Sequence, residues 1–407
     1  MEKKWWCALG ATMALGVTLA GCGGDDSEDA ASDTSSSSAS ASSSDSATTE
    51  PSAAANEGDW AKAQSADDGG GMDALVAAAQ EEGTLNVIAL PPDWANYAAI
   101  IDAFKAKYGI KVDSANPDGS SSDEITALKS TVGQASAPDV VDIGNSYALQ
   151  GALDGLFAPY QVATWDDIAD TQKDQGGLWF SDYGGYISIG CNAATAGTCP
   201  TTIADLDNPD FKGMVALNGD PTQSNSAFQA VWALALANGG SADDIQPGID
   251  YVKKLNDEGI FNKTEVTPAT VASGATPIVL DWDYLNAAET DALKKEGVDW
   301  QVADPSDGLV SAYYSQAISL NAPHPAAARL WEEFLYSHDA DGGQNGWLKG
   351  YARPIELEAM QSDGTADADA VAKIPAVEAG SEPFAPTQDQ ITAAQQVVAQ
   401  NWSAAVS

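Results

Sequence analysis

Residues 84–115 read TLNVIALPPDWANYAAIIDAFKAKYGIKVDSA. TLNVIAL is an apolar run of strand length, and it stops at Pro91-Pro92. WANYAAIIDAFKAKYG follows with its apolar positions at helical spacing and ends on Gly109, after which IKVDSA returns to strand character. A strand, a helix and a second strand packed into so short a stretch mark an α/β unit.

The alternation continues in both directions. MDALVAAAQEEG (72–83) reads as a helix before the first strand. Helix SDEITALKSTVGQ, strand PDVVDIG and helix SYALQGALDG follow the second. Beyond YGGYISIGCNA (183–193) a second set begins with strand MVALNGD, helix SNSAFQAVWALALANGG and helix GIDYVKKLNDEG. TPATVASGA is a capped helical turn and TPIVLDW the next strand. VDWQVADP, SQAISLNAP, helix HPAAARLWEEFLYS and GYARPIE lead to a last helix, DQITAAQQVVAQNWSAAV. This spacing predicts a parallel sheet covered on both faces. The 407 residues are enough for two such domains, and the pattern leaves open whether they lie in tandem or the chain crosses between them twice. No internal repeat is visible.

The front of the chain is not globular. Met1 to Cys22 has a basic start (Lys3, Lys4), an apolar run too short for a confident membrane span, and Leu19-Ala20-Gly21-Cys22. That tetrapeptide resembles the bacterial lipobox, which implies cleavage after residue 21 and a lipid on Cys22. Residues 22–71 are dominated by Ser, Ala, Asp and Thr, with little apolar surface to offset ordering entropy, so a disordered tether is expected. Such a chain would reach roughly 35–40 Å. With Cys7 lost alongside the signal and Cys22 lipidated, Cys191 and Cys199 remain as a pair in an exported chain. A disulfide is expected there; metal binding is the rival reading, though no His or further Cys is near.

Aspartate and glutamate number 59 against 18 lysines and arginines, a formal charge of -41. A surface of that sign repels nucleic acid and anionic lipid, so neither is an expected partner. Cationic solutes are favoured, though weakly by charge alone.

Several segments together resemble one family. DWANYAAIIDAFKAKYGIKV, APDVVDIGNSYALQGALDGLFAPY, DLDNPDFKGMVALNGDP, SQAISLNAPHPAAARLWEEFLYS and GYARPIE occur in the order of the solute-binding proteins of ABC importers. The resemblance runs from about Gly83 to Pro354 and is nearest to the spermidine/putrescine branch and its iron, thiamine and aminophosphonate relatives. It implies a two-lobed periplasmic-binding-protein-like fold (type II) with a ligand cleft between lobes joined by two crossovers. The crossings would fall near Tyr186–Cys191 and Ser315–Leu320. Lobe one would be 83–190 plus 310–350, and lobe two 191–309 plus 351–407. It further implies an extracytoplasmic protein held to the membrane by its lipid, serving a membrane permease; a monomer without a cofactor is expected.

Ligands of open α/β sheets bind in loops at the carboxyl ends of strands. That rule selects PPDWANY, NPDGSSSD, GNSY, NGDPTQSNS and DWDY. Asp93 suits a helix cap as well as a ligand contact. Trp94 and Tyr97 match a Trp-x-x-Tyr that faces ligand in polyamine-binding relatives. Ser146 and Tyr147, Asp182 and Tyr183 before the first crossing, and Asp220 are further candidates. The resemblance makes Trp282 a cleft wall; because side chains alternate along a strand, Asp283 joins it only if the strand ends at Trp282, and Asp281 is then expected to be structural. Tyr313 and Tyr314 precede the second crossing, one facing the cleft. Carboxylates with indole and phenol faces suit an organic cation, through ion pairing and cation–π attraction. A polyamine-like amine is therefore the first expectation, with ferric iron, thiamine or an aminophosphonate as alternatives; Arg353 could serve the acidic end of a zwitterion. Only two histidines are present, and no Gly-x-Ser-x-Gly, His-Glu-x-x-His or Walker sequence appears. An enzyme is not expected, a carboxylate-based hydrolase being the remote alternative.

Overall fold

The computed structural model describes residues 59–376, 384 and 386–407. The expected export signal, Cys22 and residues 22–58 of the tether lie outside them. In chain order the first elements are Met72–Glu82 (α1), Thr84–Ile88 (β1), Tyr97–Tyr108 (α2), Lys111–Ala115 (β2), Ser121–Ser130 (α3), Val140–Gly144 (β3), Asn145–Leu153 (α4) and Phe157–Ala158 (β4). A long strand, Phe180–Asn192 (β5), follows, then Ala193–Ala196 (α5), Val215–Leu217 (β6), Asn225–Ala237 (α6), Gln246–Asp257 (α7) and Pro268–Ala272 (α8). Ile278–Trp282 (β7), Asp283–Lys295 (α9), Trp300–Ala303 (β8), Ser311–Ser319 (β9) and Pro325–Leu335 (α10) come next. Gly343–Lys349 (α11), Arg353–Pro354 (β10), Leu357–Asp363 (α12), Ala368–Val371 (α13) and Gln388–Ala405 (α14) complete the chain.

Local chemistry explains the boundaries. Gly83 and Gly109 take left-handed conformations directly after α1 and α2, a geometry that costs a glycine little. Ser120 and Thr267 open α3 and α8 with reciprocal capping boxes.

β1 and β2 pair in parallel, and β3 is tied to β1 through Asp139, whose carboxylate accepts from the Asn86 amide at 2.7 Å. The main sheet runs β3-β9-β5-β7-β6, with β4 on β9 and both β8 and β10 on β5. It is mixed, not parallel as expected. β6 and β7 are parallel, but β5 and β9 run against their neighbours because they are the strands that carry the chain between two groups. The first part of β5 pairs with β9 and β10, and the part from Ile187 onward with β7 and β8. The first crossing thus lies at Tyr186–Ile187, inside the expected range. The second lies earlier than expected: Val310 accepts from the Ile187 amide and Ser311–Tyr313 pair with Gly184–Tyr186, whereas Ser315–Ile318 already pair with β3.

Two further expectations change. Residues 353–371, assigned to lobe two, pack with the first group: β10 lies on β5 at Tyr183–Gly184, and Met360 and Ala370 cluster with Leu348. The C-terminal α14 does pack on α7. The tether ends sooner than residue 71, because Trp60, Ala63 and Ala66 are buried and the buried Arg329 donates to the Ala63 carbonyl at 2.9 Å. One indole and one guanidinium order a segment whose composition reads as disordered. Cys191 and Cys199 form a disulfide that ties the end of β5 to the loop after α5.

Candidate functional site

A cleft of about 920 Å³ opens where the ends of β1, β2, β3, β6 and β7 meet. Four of the five selected loops line it, all but GNSY. The loop after β1 brings Asp93 and Trp94. Ala95 and Asn96 beside them hold positive φ (45° and 69°), a conformation that non-glycine residues adopt at a cost. The Asn96 amide donates to the Gly346 carbonyl at 2.9 Å, which pins this strained turn to α11 and fixes Trp94 over the cleft.

The first group supplies a floor of carboxyls and rings. Trp94 Nε1 donates to the Tyr183 hydroxyl (2.8 Å), and Tyr183 and Tyr97 both donate to Asp142 Oδ2 (2.9 and 2.6 Å). Tyr314 stacks on Tyr183 at 5.7 Å and meets Trp94 edge-on at the same distance. Asp142 and Asp182 are both buried here; burial raises both carboxyls above their ordinary range, and the charge of Asp142 raises Asp182 further. Glu124, facing the same floor from α3, is pushed well up by burial and then by Asp142.

The second group supplies Asp281, at the end of β7. Its carboxyl accepts from Ser226 Oγ (2.5 Å), its neighbour's amide (2.8 Å) and Asn218 Nδ2 (2.8 Å), all neutral donors. Burial outweighs them and pushes it up to about 7. Glu289 on α9 is raised by burial and then by the charge of Asp93, which belongs to the first group. The cleft is therefore acidic on both sides. Among the described residues its one basic side chain is Lys263, which donates to the Val406 carbonyl.

Of the residues singled out from the sequence, Asp93, Trp94, Tyr183, Asp220 and Tyr314 line the cleft. Asp220 there caps a turn by accepting from Thr222. Tyr97 and Asp182 are buried behind the floor, Asp182 accepting from Gln316 Nε2 at 2.7 Å. Ser146 is buried and does not line the cleft, and neither does Tyr313, which pairs with Gly184 near the crossing. Tyr147 donates to the Thr222 carbonyl at 3.1 Å, linking α4 to the loop before α6.

DWDY is arranged differently from the expectation. The strand does end at Trp282, but Trp282 is fully buried, stacked on Tyr284 at 6.1 Å and edge-on to Tyr314 at 6.0 Å. Asp283 is buried away from the cleft and paired with Arg353 Nη1 at 2.6 Å. Asp281, expected to be structural, is the one that faces the cavity. The reason is that Arg353, brought in on β10, supplies the counter-charge that Asp283 needs and leaves Asp281 without one. That arrangement also keeps Arg353 off the cleft wall, where a zwitterion's acidic end would have needed it.

Asp142, Glu124 and Glu289 were not singled out. An aspartate inside the apolar run VVDIG was a usable signal for Asp142. Glu124 could have been found from Ser121 and Leu128, which share its buried helix face.

A family model for bacterial extracellular solute-binding proteins matches residues 136–363. Among solved structures, the periplasmic binding protein P5PA aligns at 17% identity over 80% of this chain and 100% of its own, with a TM-score of 0.64. The periplasmic binding protein AfuA from Actinobacillus pleuropneumoniae, with fructose-6-phosphate bound, aligns at 20% identity over 79% and 98%, TM-score 0.62. A putative spermidine/putrescine ABC transporter protein from Listeria monocytogenes aligns at 14% identity over 79% and 98%, TM-score 0.57. At such identities the likeness is one of fold. A comparison with curated proteins found no match. The two strand groups, the paired crossings and the cleft between strand ends agree with the family match, and the chain belongs to the bacterial extracellular solute-binding protein family.

Proposed function

We propose that the cleft captures a small organic cation, a polyamine or a related amine. As a member of its family the chain is the extracytoplasmic solute-binding component of an ABC importer, a binding protein and not an enzyme. The observation that carries the ligand reading is the wall chemistry. Asp93, Glu124, Asp142, Asp281 and Glu289 enter from both sides, and Trp94, Tyr183 and Tyr314 add aromatic faces. An ammonium group would draw the raised carboxyls into their charged form and gain cation–π attraction of about 0.5–2 kcal/mol per ring. An anion would meet like charge on both walls. We further propose that a lipid on Cys22 holds the protein near its permease, a reading that rests on the sequence around that cysteine.

The test is the melting temperature of the purified protein with putrescine, spermidine, thiamine, 2-aminoethylphosphonate and ferric citrate. A ligand that binds only the native state raises it by mass action. Amines are expected to give the largest shift; a shift with ferric citrate and none with any amine would overturn the assignment.

A further inference from the structure

The strand that carries the chain from one lobe to the other has two adjacent glycines, Gly184 and Gly185, just before the crossing. Both are required by close approach. A Cβ on Gly184 would fall 2.3 Å from the Ala312 carbonyl oxygen of β9, and one on Gly185 would fall 2.3 Å from Asp283 Oδ1. No side chain fits at either position where the strand passes from one lobe to the other.

Three groups converge on this point. Asp283 opens α9 on the second lobe, and its Oδ1 accepts from the Tyr186 amide at 3.1 Å, the last residue before the pairing changes partners. Its Oδ2 accepts from Arg353 Nη1 at 2.6 Å, and Arg353 sits on β10, paired to β5 on the first lobe. The same guanidinium lies 4.8 Å from the centre of the Tyr186 ring and donates to the Pro375 carbonyl. One carboxylate therefore holds the backbone of the crossing strand with one oxygen and the opposite lobe with the other.

We propose that Asp283 and Arg353 form a pin across the hinge. They fix the axis about which the lobes turn and are positioning residues for ligand capture that do not touch the ligand. Because Asp283 Oδ1 is held by the crossing strand's own amide, the pin sits at the pivot and not at the moving rim. Glycines at 184 and 185 let the strand bend; the ion pair prevents the two lobes from sliding past each other as it does so.

The test reads geometry in ligand-free protein, independently of which solute is captured. Leu153 on the first lobe and Lys295 on the second are both exposed. In a full-length chain with Cys7→Ser and Cys22→Ser, nitroxides at Leu153→Cys and Lys295→Cys report the distance between lobes by electron–electron double resonance. Asp283→Asn keeps an oxygen for the Tyr186 amide and removes the charge pair; Arg353→Gln removes it from the other side. Both variants are expected to broaden the distance distribution at least twofold while the circular dichroism stays native. If either variant melts at a lower temperature but keeps the native distance distribution, the pair is a structural staple only and the proposal falls. Should Asp283→Asn fail to fold, Arg353→Gln alone decides in the same way.

Discussion

Asp281 and Asp283 stand one residue apart at the junction of β7 and α9, and they have opposite fates. Asp281 faces the cleft and is held only by neutral donors, so burial pushes its carboxyl up to about 7. Asp283 faces the hinge, where burial also raises it but the Arg353 guanidinium and two backbone amides oppose the rise. A buried carboxyl that already owns a cation is committed to the fold. One that owns none is available to a cation from outside.

Removing a partner should therefore hurt the hinge most. Asp283→Ala leaves Arg353 largely buried without its counter-charge, and chemical denaturation should show a loss of about 3–5 kcal/mol. The same change at Asp281 should do the reverse: Asp281→Asn keeps the melting temperature near that of the parent or above it, while amine affinity measured by calorimetry falls by about 1.5–3 kcal/mol. Equal stability losses at the two positions would erase the distinction.

A smaller effect follows from pH. The folded form holds the Asp281 proton up to about 7, above the unfolded value, so the folded state binds the extra proton in between. This residue's contribution to ligand-free stability is then greatest on the acid side and declines as pH rises through that window. Amine binding needs the ionised form and should weaken by about tenfold from pH 8 to pH 6. Asp281→Asn should remove this residue's share of both dependences and leave the share of the other raised carboxyls of the cleft, Glu124, Asp142 and Glu289. The smallest change expected is Trp94→Phe, which keeps a ring over the cleft but loses the indole face and its bond to Tyr183, and should weaken amine binding by about 0.5–1 kcal/mol in the same titration.

The alternation of strands and helices was legible because it is local: Gly83, Gly109 and the capping residues act within a turn of the elements they end or begin. The family resemblance added the crossings. What escaped was non-local. β5 looks broken by Gly184, Gly185 and Gly190, and glycines ordinarily weaken a strand; here each is required by a neighbour from β9, α9 or β8 that approaches too closely for a side chain. Four of the five selected loops meet at the cavity, but which carboxylate faced it depended on Arg353, seventy residues further on. Trp60 is a similar case: a lone indole in a polar stretch finds its packing partners only in the folded chain.

The acidic, aromatic cleft is proposed to take an organic cation at Asp281. That proposal is tested most directly by a crystal structure of the protein with whichever amine gives the largest melting shift. The expected result is an amine nitrogen within about 3 Å of the Asp281 carboxylate, with Trp94 and Tyr314 against its carbon chain and the Asp283–Arg353 pair intact. Density for the amine outside the cleft, or an amine nitrogen bound to Asp283 with Arg353 displaced, would contradict it.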